Sequence, residues 1–237
     1  MKNNQIKLEK LNRDELYRYL GYATDIDENT PDDIVRGIID KYEEKLFKII
    51  RPAYVWHTFD IREAYKVSRY RGIEVVGTAL ILEGEAIKNH LSQCTQAVLM
   101  CATLSGEADK LIRQTQLRDM AEALIVDTAA STAIEQVCNI AEEQIRESFP
   151  HKYMTYRFGV GYGDLPLYHE RMILDILNAG RQIGLSCTEN NILTPAKSVV
   201  CIIGLSDSPL KKGQKGCATC NMRERCSYRK RGLSCSY

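Results

Sequence analysis

Hydrophobic and polar positions along the chain alternate between helical and strand-like spacing, without a regular order. The longest helical pattern is EALIVDTAASTAIEQVCNIAEEQIRES, residues 122–148, where apolar side chains recur at steps of three and four. The residues of this stripe are Val126, Ala130, Ala133, Val137, Ala141 and Ile145. Because most of them are small, we expect this helix to pack closely on a sheet.

Other segments also have helical signals. In residues 30–50, Thr30 is the expected N-cap, Pro31 the first helical residue, and acidic residues fill the first turn. EGEAIKNHL predicts a short helix, and Ser105 is expected to open a long helical stretch. YHERMILDILNAGRQIG, residues 168–184, predicts a helix that ends at Gly184.

Strand-like segments are rich in β-branched and aromatic residues. They are AYVWHTFDI, GIEVVGTALIL, AVLMCATL, HKYMTY and SVVCIIGL. Their irregular order among the helices favours an α+β architecture over a doubly wound parallel sheet. We therefore expect a single domain over residues 1–206, with a mainly antiparallel twisted sheet and long helices, followed by a Cys-rich tail over residues 207–237.

Composition places the chain among soluble globular proteins, with 44% apolar and 27% charged residues. The first residues have no apolar signal-peptide core, and the longest apolar runs are too short to cross a bilayer. We therefore expect a cytosolic protein with reduced thiols. Single cysteines in apolar or helical surroundings are expected to act as small core side chains: Cys94, Cys101, Cys138, Cys187 and Cys201.

The tail differs from the body in charge and in cysteine content. Residues 211–237 contain eight basic residues against the single acid Glu224, so the net charge of +1 divides into +7 on the tail and −6 on residues 1–210. Four tail cysteines have the spacing C-x2-C-x5-C-x8-C: Cys217, Cys220, Cys226 and Cys235. Four thiolates at this spacing can hold zinc or an iron–sulfur cluster. The alternative is an unstructured basic tail with exposed thiols.

A glycine-rich loop, RFGVGYGDLP, occupies residues 157–166. It is not a dinucleotide fingerprint, because Asp164 stands where a glycine is required, and it is not a P-loop, because no Gly-Lys-Ser/Thr follows. The glycines allow the backbone to approach a ligand closely. The other interpretation is a simple connection in which Arg157 pairs with a surface acid.

The wider segment, residues 157–205, resembles the activation domain of cobalamin-dependent methionine synthase. That family has Arg-x-x-x-Gly-Tyr, then a helix, then Thr-Glu, then a Pro-x-x-Ser-Val strand. The matching residues are Arg157, Gly161, Tyr162, Thr188, Glu189, Pro195, Ser198 and Val199. The match is strong over about a fifth of the chain, and the long helix before it fits more loosely.

The resemblance implies a site for S-adenosylmethionine beside a cobalamin. Arg157 would pair with the methionyl carboxylate. Glu189, and Glu135 on the long helix, would contact the amino group or the sulfonium charge. Tyr162 would lie between methyl donor and corrin, as the candidate catalytic residue, and Asp60 is the candidate for an N-terminal aspartate of the family. The loop residues expected to approach the adenosine are Phe158, Gly159, Gly161, Tyr162 and Gly163.

The resemblance also implies partners. In this family, one-electron reduction of Co(II) coupled to methyl transfer restores methylcobalamin. With no methyltransferase barrel or cobalamin module in the sequence, we expect a free-standing reactivation subunit that acts on methionine synthase or another corrinoid protein on a separate chain. An electron donor is needed, and an iron–sulfur cluster in the tail could supply the electron.

The alternative is a non-catalytic interaction protein that uses its basic, metal-bearing tail. Nucleic acid is disfavoured as a ligand, because few aromatic residues accompany the basic ones, and no membrane partner is expected. No HExxH or GxSxG motif occurs. His169 lies near the proposed site. Structural or surface roles are expected for all four histidines: His57, His90, His151 and His169.

Overall fold

An antiparallel sheet runs through the centre of the molecule, in a computed structural model that describes residues 2–22, 30–64, 72–210 and 224. The strands are β1 (Lys2–Gln5), β2 (Ala53–Glu63), β3 (Gly72–Val75), β4 (Ile81–Glu83), β5 (Gln96–Thr103), β6 (Tyr153–Met154), β7 (Phe158–Gly159), β8 (Ser186–Cys187), β9 (Leu193–Thr194) and β10 (Ser198–Ser206). The helices are α1 (Arg13–Tyr19), α2 (Asp33–Ile49), α3 (Glu85–Leu91), α4 (Gly106–Gln116), α5 (Met120–Ser148), α6 (His169–Ile176) and α7 (Ala179–Ile183).

The main sheet has the strand order β4-β3-β2-β5-β10-β6. β1 pairs with β2, and β7 pairs with the middle of β10, while β8 and β9 form a separate hairpin. Neighbouring strands are antiparallel throughout the described pairings. The predicted α+β class with a mainly antiparallel sheet is therefore confirmed.

Helices cover both faces of the sheet, because side chains alternate along its central strands. On β5, Val98 and Met100 enter an apolar cluster formed with α1, α2, α4 and α5. Leu99 and Cys101 enter a second cluster, formed with α3, α6 and α7. These two clusters, the α5 layer and the α6 layer, make up the core.

The small-residue stripe of α5 faces the sheet as predicted. Its six residues are all fully buried in the α5 layer: Val126, Ala130, Ala133, Val137, Ala141 and Ile145. Among the single cysteines, Cys101, Cys138 and Cys201 are buried, which confirms the core prediction for them. Cys94 and Cys187 are only partly buried, and burial raises the pKa of the Cys94 thiol to about 11.

The N-terminus of α2 differs from the prediction. Its cap is Asp32, not Thr30, because the Asp32 carboxylate accepts a hydrogen bond from the backbone N–H of Val35 at 2.8 Å. The helix therefore begins at Asp33, and Pro31 precedes it. An aspartate is as good an N-cap as a threonine or better, so the local sequence contained both possibilities.

Two long helical predictions are each divided in the structure. The stretch after Ser105 forms α4 and α5, separated by a turn that ends at Asp119, which caps α5. Residues 168–184 form α6 and α7, separated at Asn178, whose φ is +51°. Gly184 ends α7 with φ +68°, as predicted. The predicted strand at residues 72–82 is a hairpin, β3 and β4, with a turn at Gly77.

No helix within the described ranges is long and apolar enough to cross a membrane. The tail cysteines Cys217, Cys220, Cys226 and Cys235 lie outside the described residues. The division of the chain after residue 206 and the cytosolic location stay predictions.

Candidate functional site

The glycine-rich loop begins at the middle of the sheet. β7 pairs Phe158 with Ile202 and Gly159 with Cys201 of β10. Phe158 packs into the α6 layer. Because side chains alternate along an extended chain, Arg157 points to the opposite face, where α5 lies. The backbone at this point thus sends an aromatic ring to one layer and a guanidinium to the other.

Arg157 forms ion pairs with two glutamates of α5. Its Nη1 donates to Glu142 Oε2 at 2.8 Å, and its Nη2 donates to Glu135 Oε2 at 3.1 Å. The Arg157 side chain is 15% exposed and that of Glu135 is 39% exposed. In the described structure the guanidinium is therefore held by internal carboxylates, and Glu135, a predicted ligand contact, is one of them.

Glu142 is a member of this cluster that the sequence analysis did not identify. It lies seven residues after Glu135, so both side chains project from the same face of α5. Its other oxygen accepts from Arg146 Nη2 at 3.2 Å. The i, i+7 spacing of two acids on a long helix was the available signal, but it did not show that Arg157 would lie opposite them.

Tyr162 projects from the tip of the loop, between two glycines in the left-handed region. The φ angles are +88° at Gly161 and +58° at Gly163. The Tyr162 N–H donates to Gly159 O at 3.1 Å, and Tyr162 O accepts from the Leu165 N–H at 3.0 Å. Its ring covers Gly159, where a Cβ would be 3.0 Å from Tyr162 Cε1. The loop therefore needs glycine at these positions to keep this shape.

The Tyr162 ring is available to other molecules. The residue is 58% exposed, and its ring centroid is 6.0 Å from that of Phe158 in an edge-on arrangement. Partial burial, followed by the nearby Glu135 carboxylate, raises the pKa of Tyr162 above its usual value. Tyr162 is therefore a neutral phenol at neutral pH, next to the Arg157 cluster.

The end of the loop is fixed by polar contacts. Asp164 accepts hydrogen bonds from the backbone N–H groups of Glu85 and Ala86, at 2.7 and 2.9 Å. His169 is 1% exposed, and its ring nitrogens lie 3.0 Å from Pro166 O and 2.9 Å from Ile81 O. His169 thus ties the start of α6 to β4, which confirms the structural role expected for it.

Glu189 and Asp60 are not joined to the Arg157 cluster. Glu189 is exposed in the turn between β8 and β9, and within the described residues no hydrogen bond or ion pair links it to Arg157 or Tyr162. The Asp60 carboxylate on β2 accepts from Gln96 Nε2 at 2.9 Å. Their predicted ligand contacts stay predictions.

A buried carboxyl lies in the α6 layer close to the loop. Glu170 is 7% exposed, and its Oε2 has no hydrogen-bond partner among the described residues. Burial raises the pKa of Glu170 to about 7. Among the described residues, no group of His, Cys, Asp and Glu is arranged to hold a metal ion.

The charge of the Arg157 cluster is unbalanced, because one guanidinium faces two carboxylates and leaves one negative charge. The next pair along α5, Arg146 with Glu143, does not change this sum. The site therefore combines a donor for a carboxylate with excess negative charge for a cation. The guanidinium and the neutral phenol offer a charged hydrogen-bond donor and an aromatic ring, so the arrangement is suited to binding and positioning.

No family model matches the chain, and no curated protein matches it. Among solved structures, the chain is similar to the MetH reactivation domain, in a crystal structure of that domain bound to AdoHcy. The similarity has a TM-score of 0.61 and 14% sequence identity, and it covers 98% of this chain and 86% of that one. The described α+β architecture is therefore the fold of the MetH reactivation domain.

Proposed function

We propose that the chain binds S-adenosylmethionine at the loop of residues 157–163 and supports the reductive methylation of a cobalamin carried by a partner protein. The observation that carries this proposal is the position of the Arg157–Gly161–Tyr162 motif in a fold shared with an AdoHcy-bound reactivation domain. When bound, the ligand would supply an activated methyl group, and the partner's corrinoid would accept it after one-electron reduction. The role left to this chain is to bind and position.

The charge of the cluster supports this ligand. S-adenosylmethionine has one carboxylate, one ammonium and one sulfonium, so its net charge is positive, opposite to that of the Arg157 cluster. AdoHcy lacks the sulfonium and is neutral overall. Glu135 and Glu142 together thus provide an electrostatic reason to prefer the methyl donor over the demethylated product.

An exchange of partners at Arg157 would admit the ligand carboxylate. Of the two ion pairs, that with Glu135 is longer, 3.1 Å against 2.8 Å, and Glu135 is the more exposed acid, at 39% against 22%. We therefore propose that the ligand carboxylate replaces Glu135 at the guanidinium, while Glu142 stays. The released Glu135 carboxylate can then pair with the ligand's ammonium or sulfonium group.

The partner would dock over Tyr162. This side chain is 58% exposed, and Leu167 and Tyr168, which follow it in the chain, are 50% and 44% exposed. A corrin ring presents a broad apolar face, which exposed aromatic side chains contact favourably. The corrinoid protein, methionine synthase or another methyltransferase component, would be a separate chain.

The tail supports a further part of the proposal on sequence grounds only. We propose that Cys217, Cys220, Cys226 and Cys235 bind zinc or an iron–sulfur cluster, and that a cluster would pass an electron to the corrinoid. Metal analysis and the visible spectrum of anaerobically purified protein separate the two. A protein without bound metal, and with four freely titrating tail thiols, would contradict this part.

Calorimetric titration with S-adenosylmethionine tests the binding proposal. Arg157→Ala is expected to weaken binding by about 1.5–3 kcal/mol, the range for hydrogen bonds to charged groups, which is roughly a tenfold to hundredfold rise in Kd. The control is Arg36→Ala, which removes a half-exposed arginine of α2 whose ion-pair partner is Asp33 and not a member of the Arg157 cluster. Equal affinity in wild type and Arg157→Ala would contradict the proposed site.

One observation favours the non-catalytic alternative, namely that Arg157 is already paired with two internal carboxylates. If the cluster is only structural, wild-type protein binds no S-adenosylmethionine, and Arg157→Ala lowers stability without any change in ligand binding. Formation of methylcobalamin from cob(II)alamin, S-adenosylmethionine and a chemical reductant then distinguishes a reactivation subunit from an interaction protein.

A further inference from the structure

We propose that Asp164 is a positioning residue that holds the Tyr162 loop in its binding conformation by anchoring it to the start of α3. This inference rests on the proposed function, because it assigns Asp164 a role through Tyr162 and the ligand-binding backbone. The Asp164 carboxylate accepts hydrogen bonds from two backbone N–H groups of α3, and among the described residues no hydrogen bond or ion pair joins it to Arg157.

The first step is that α3 lacks a capping side chain of its own. The residue before the helix is Gly84, with φ +126°, and no side chain there caps the first turn. The first N–H groups of a helix have no partner within the helix. Here those of Glu85 and Ala86 donate to the two carboxylate oxygens of Asp164, at 2.7 and 2.9 Å. Asp164, which is distant in sequence, thus takes the place of the capping side chain that the residue before a helix normally provides.

Glycines on both sides of the contact between Asp164 and α3 make room for it. A Cβ at position 84 would lie 2.7 Å from Asp164 Oδ1, so a side chain there would displace the carboxylate. A Cβ at position 163 would lie 2.6 Å from Ala86 Cβ, so the loop backbone could not approach α3 as closely. Gly84 and Gly163 together therefore leave the space in which Asp164 meets the helix.

The helix to which Asp164 is bonded is itself packed into the core. Ile87 and Leu91 of α3 are buried in the α6 layer, which also contains Phe158 at the beginning of the loop. The loop is consequently fixed at one end by Phe158 and at the other by Asp164, against the same body of side chains. A stretch held at both ends has fewer conformations to lose when a ligand binds.

Between these ends, backbone hydrogen bonds transmit the position of Asp164 to Tyr162. Gly161 N–H donates to Leu165 O at 3.1 Å, and Leu165 N–H donates to Tyr162 O at 3.0 Å. Asp164 lies inside this closed turn. Loss of its carboxylate would release the turn from α3 and allow Tyr162 to move off Gly159.

The state of charge suits the role. Hydrogen bonds from the backbone N–H groups of Ala86 and Glu85 lower the pKa of Asp164. The carboxylate therefore stays ionised at neutral pH and keeps both acceptors.

The experiment compares Asp164→Ala with Asp119→Ala in the full chain. Asp119 is a matched control, because it also accepts from two backbone N–H groups, those of Ala121 and Glu122 at the start of α5. It lies 16 residues before Glu135, about 24 Å along the helix. Both variants lose one helix cap, so their stabilities are expected to fall by similar amounts. Asp164→Asn, which retains one acceptor, gives an intermediate variant should Asp164→Ala fold poorly.

Two readouts decide the result. Asp164→Ala is expected to raise the Kd for S-adenosylmethionine by roughly tenfold and to accelerate amide hydrogen exchange in residues 158–165, whereas Asp119→Ala changes neither. Equal affinities in the two variants would overturn the inference. If wild-type protein binds no S-adenosylmethionine, the proposed function fails, and the inference fails with it unless exchange in the loop still rises in Asp164→Ala alone.

Discussion

Glu142 on α5 accepts a hydrogen bond from Arg157 at 2.8 Å, across the boundary between helix and sheet. The same carboxylate also accepts from Arg146, one turn further along α5. Glu142 is thus fixed from two sides, and it holds the guanidinium in place whether or not Glu135 stays paired. The cluster is organised before any ligand arrives, which lowers the entropic cost of binding.

The excess negative charge predicts that Glu142→Gln weakens binding of S-adenosylmethionine more than that of AdoHcy. We expect a loss of about two- to fivefold for the methyl donor, as for a partly exposed ion pair, and a smaller change for the neutral product. Titrations with both ligands at low and high salt measure the two losses of affinity. The control is Glu143→Gln, whose carboxylate pairs with Arg146 and, among the described residues, not with Arg157. Equal losses for the two ligands would contradict the electrostatic explanation.

Glu170 predicts a dependence of stability on pH. Its pKa is about 7 in the folded protein and about 4.3 in an unfolded chain, so the folded state binds the proton more tightly. Its contribution is fully present below the unfolded pKa and is lost as pH rises through 7. The difference between the two pKa values corresponds to a contribution on the order of 4 kcal/mol to the free energy of unfolding.

Urea unfolding of wild type and Glu170→Gln over this pH range tests the prediction. The glutamine has no proton to lose, so the free energy of unfolding should depend less on pH in the variant. Asp175→Asn changes an exposed carboxyl on the same helix and should leave the dependence intact. The same pH dependence in Glu170→Gln as in wild type would show that Glu170 is not the group responsible.

Gly163→Ala is expected to destabilise the protein more than Gly77→Ala. Both glycines have positive φ, +58° and +83°, so each alanine costs about 1–2 kcal/mol of backbone strain. A Cβ at Gly77 meets no atom within 4 Å, whereas one at Gly163 lies 2.6 Å from Ala86 Cβ. The overpacking adds about 1–3 kcal/mol. Thermal unfolding of the two variants measures the difference, and equal midpoints would argue against a tight contact between loop and α3.

The stripe of α5 predicts intolerance of large side chains. Ala130 is fully buried in the α5 layer, so Ala130→Leu is expected to cost about 1–3 kcal/mol in unfolding free energy. Leu124 on the same helix is 63% exposed, and Leu124→Ala should change stability by less than about 0.5 kcal/mol. A near-neutral Ala130→Leu, seen by urea unfolding, would mean that the helix can move away from the sheet.

Long periodic patterns were predictable because many residues specify them together. The α5 stripe repeats over about five turns, and its burial follows from spacing alone. The strands around Val55 and Ile202 were similarly clear, since both are rich in β-branched or aromatic residues. The glycines after Arg157 also predicted a loop, and two of them, Gly161 and Gly163, have the positive φ angles that glycine adopts most readily.

Contacts between distant segments were not predictable in the same way. Asp164 caps a helix that begins 79 residues earlier, and nothing in its neighbourhood shows this partner. The pairing of Glu142 with Arg157 likewise depends on how β7 lies against α5, which the local sequence does not specify. The division at Asn178 depended on a single residue that tolerates positive φ, a weak local preference that the surrounding packing decided.

The short strand β7 makes the geometry of the site depend on both layers of the core. Arg157 is held by the helical layer on one face of the sheet and Phe158 by the layer on the other, one peptide bond apart. Detachment of either layer would separate the guanidinium from the loop backbone. Affinity for the ligand should therefore vanish in any partly unfolded intermediate, and a bound ligand should increase the cooperativity with which the two layers unfold.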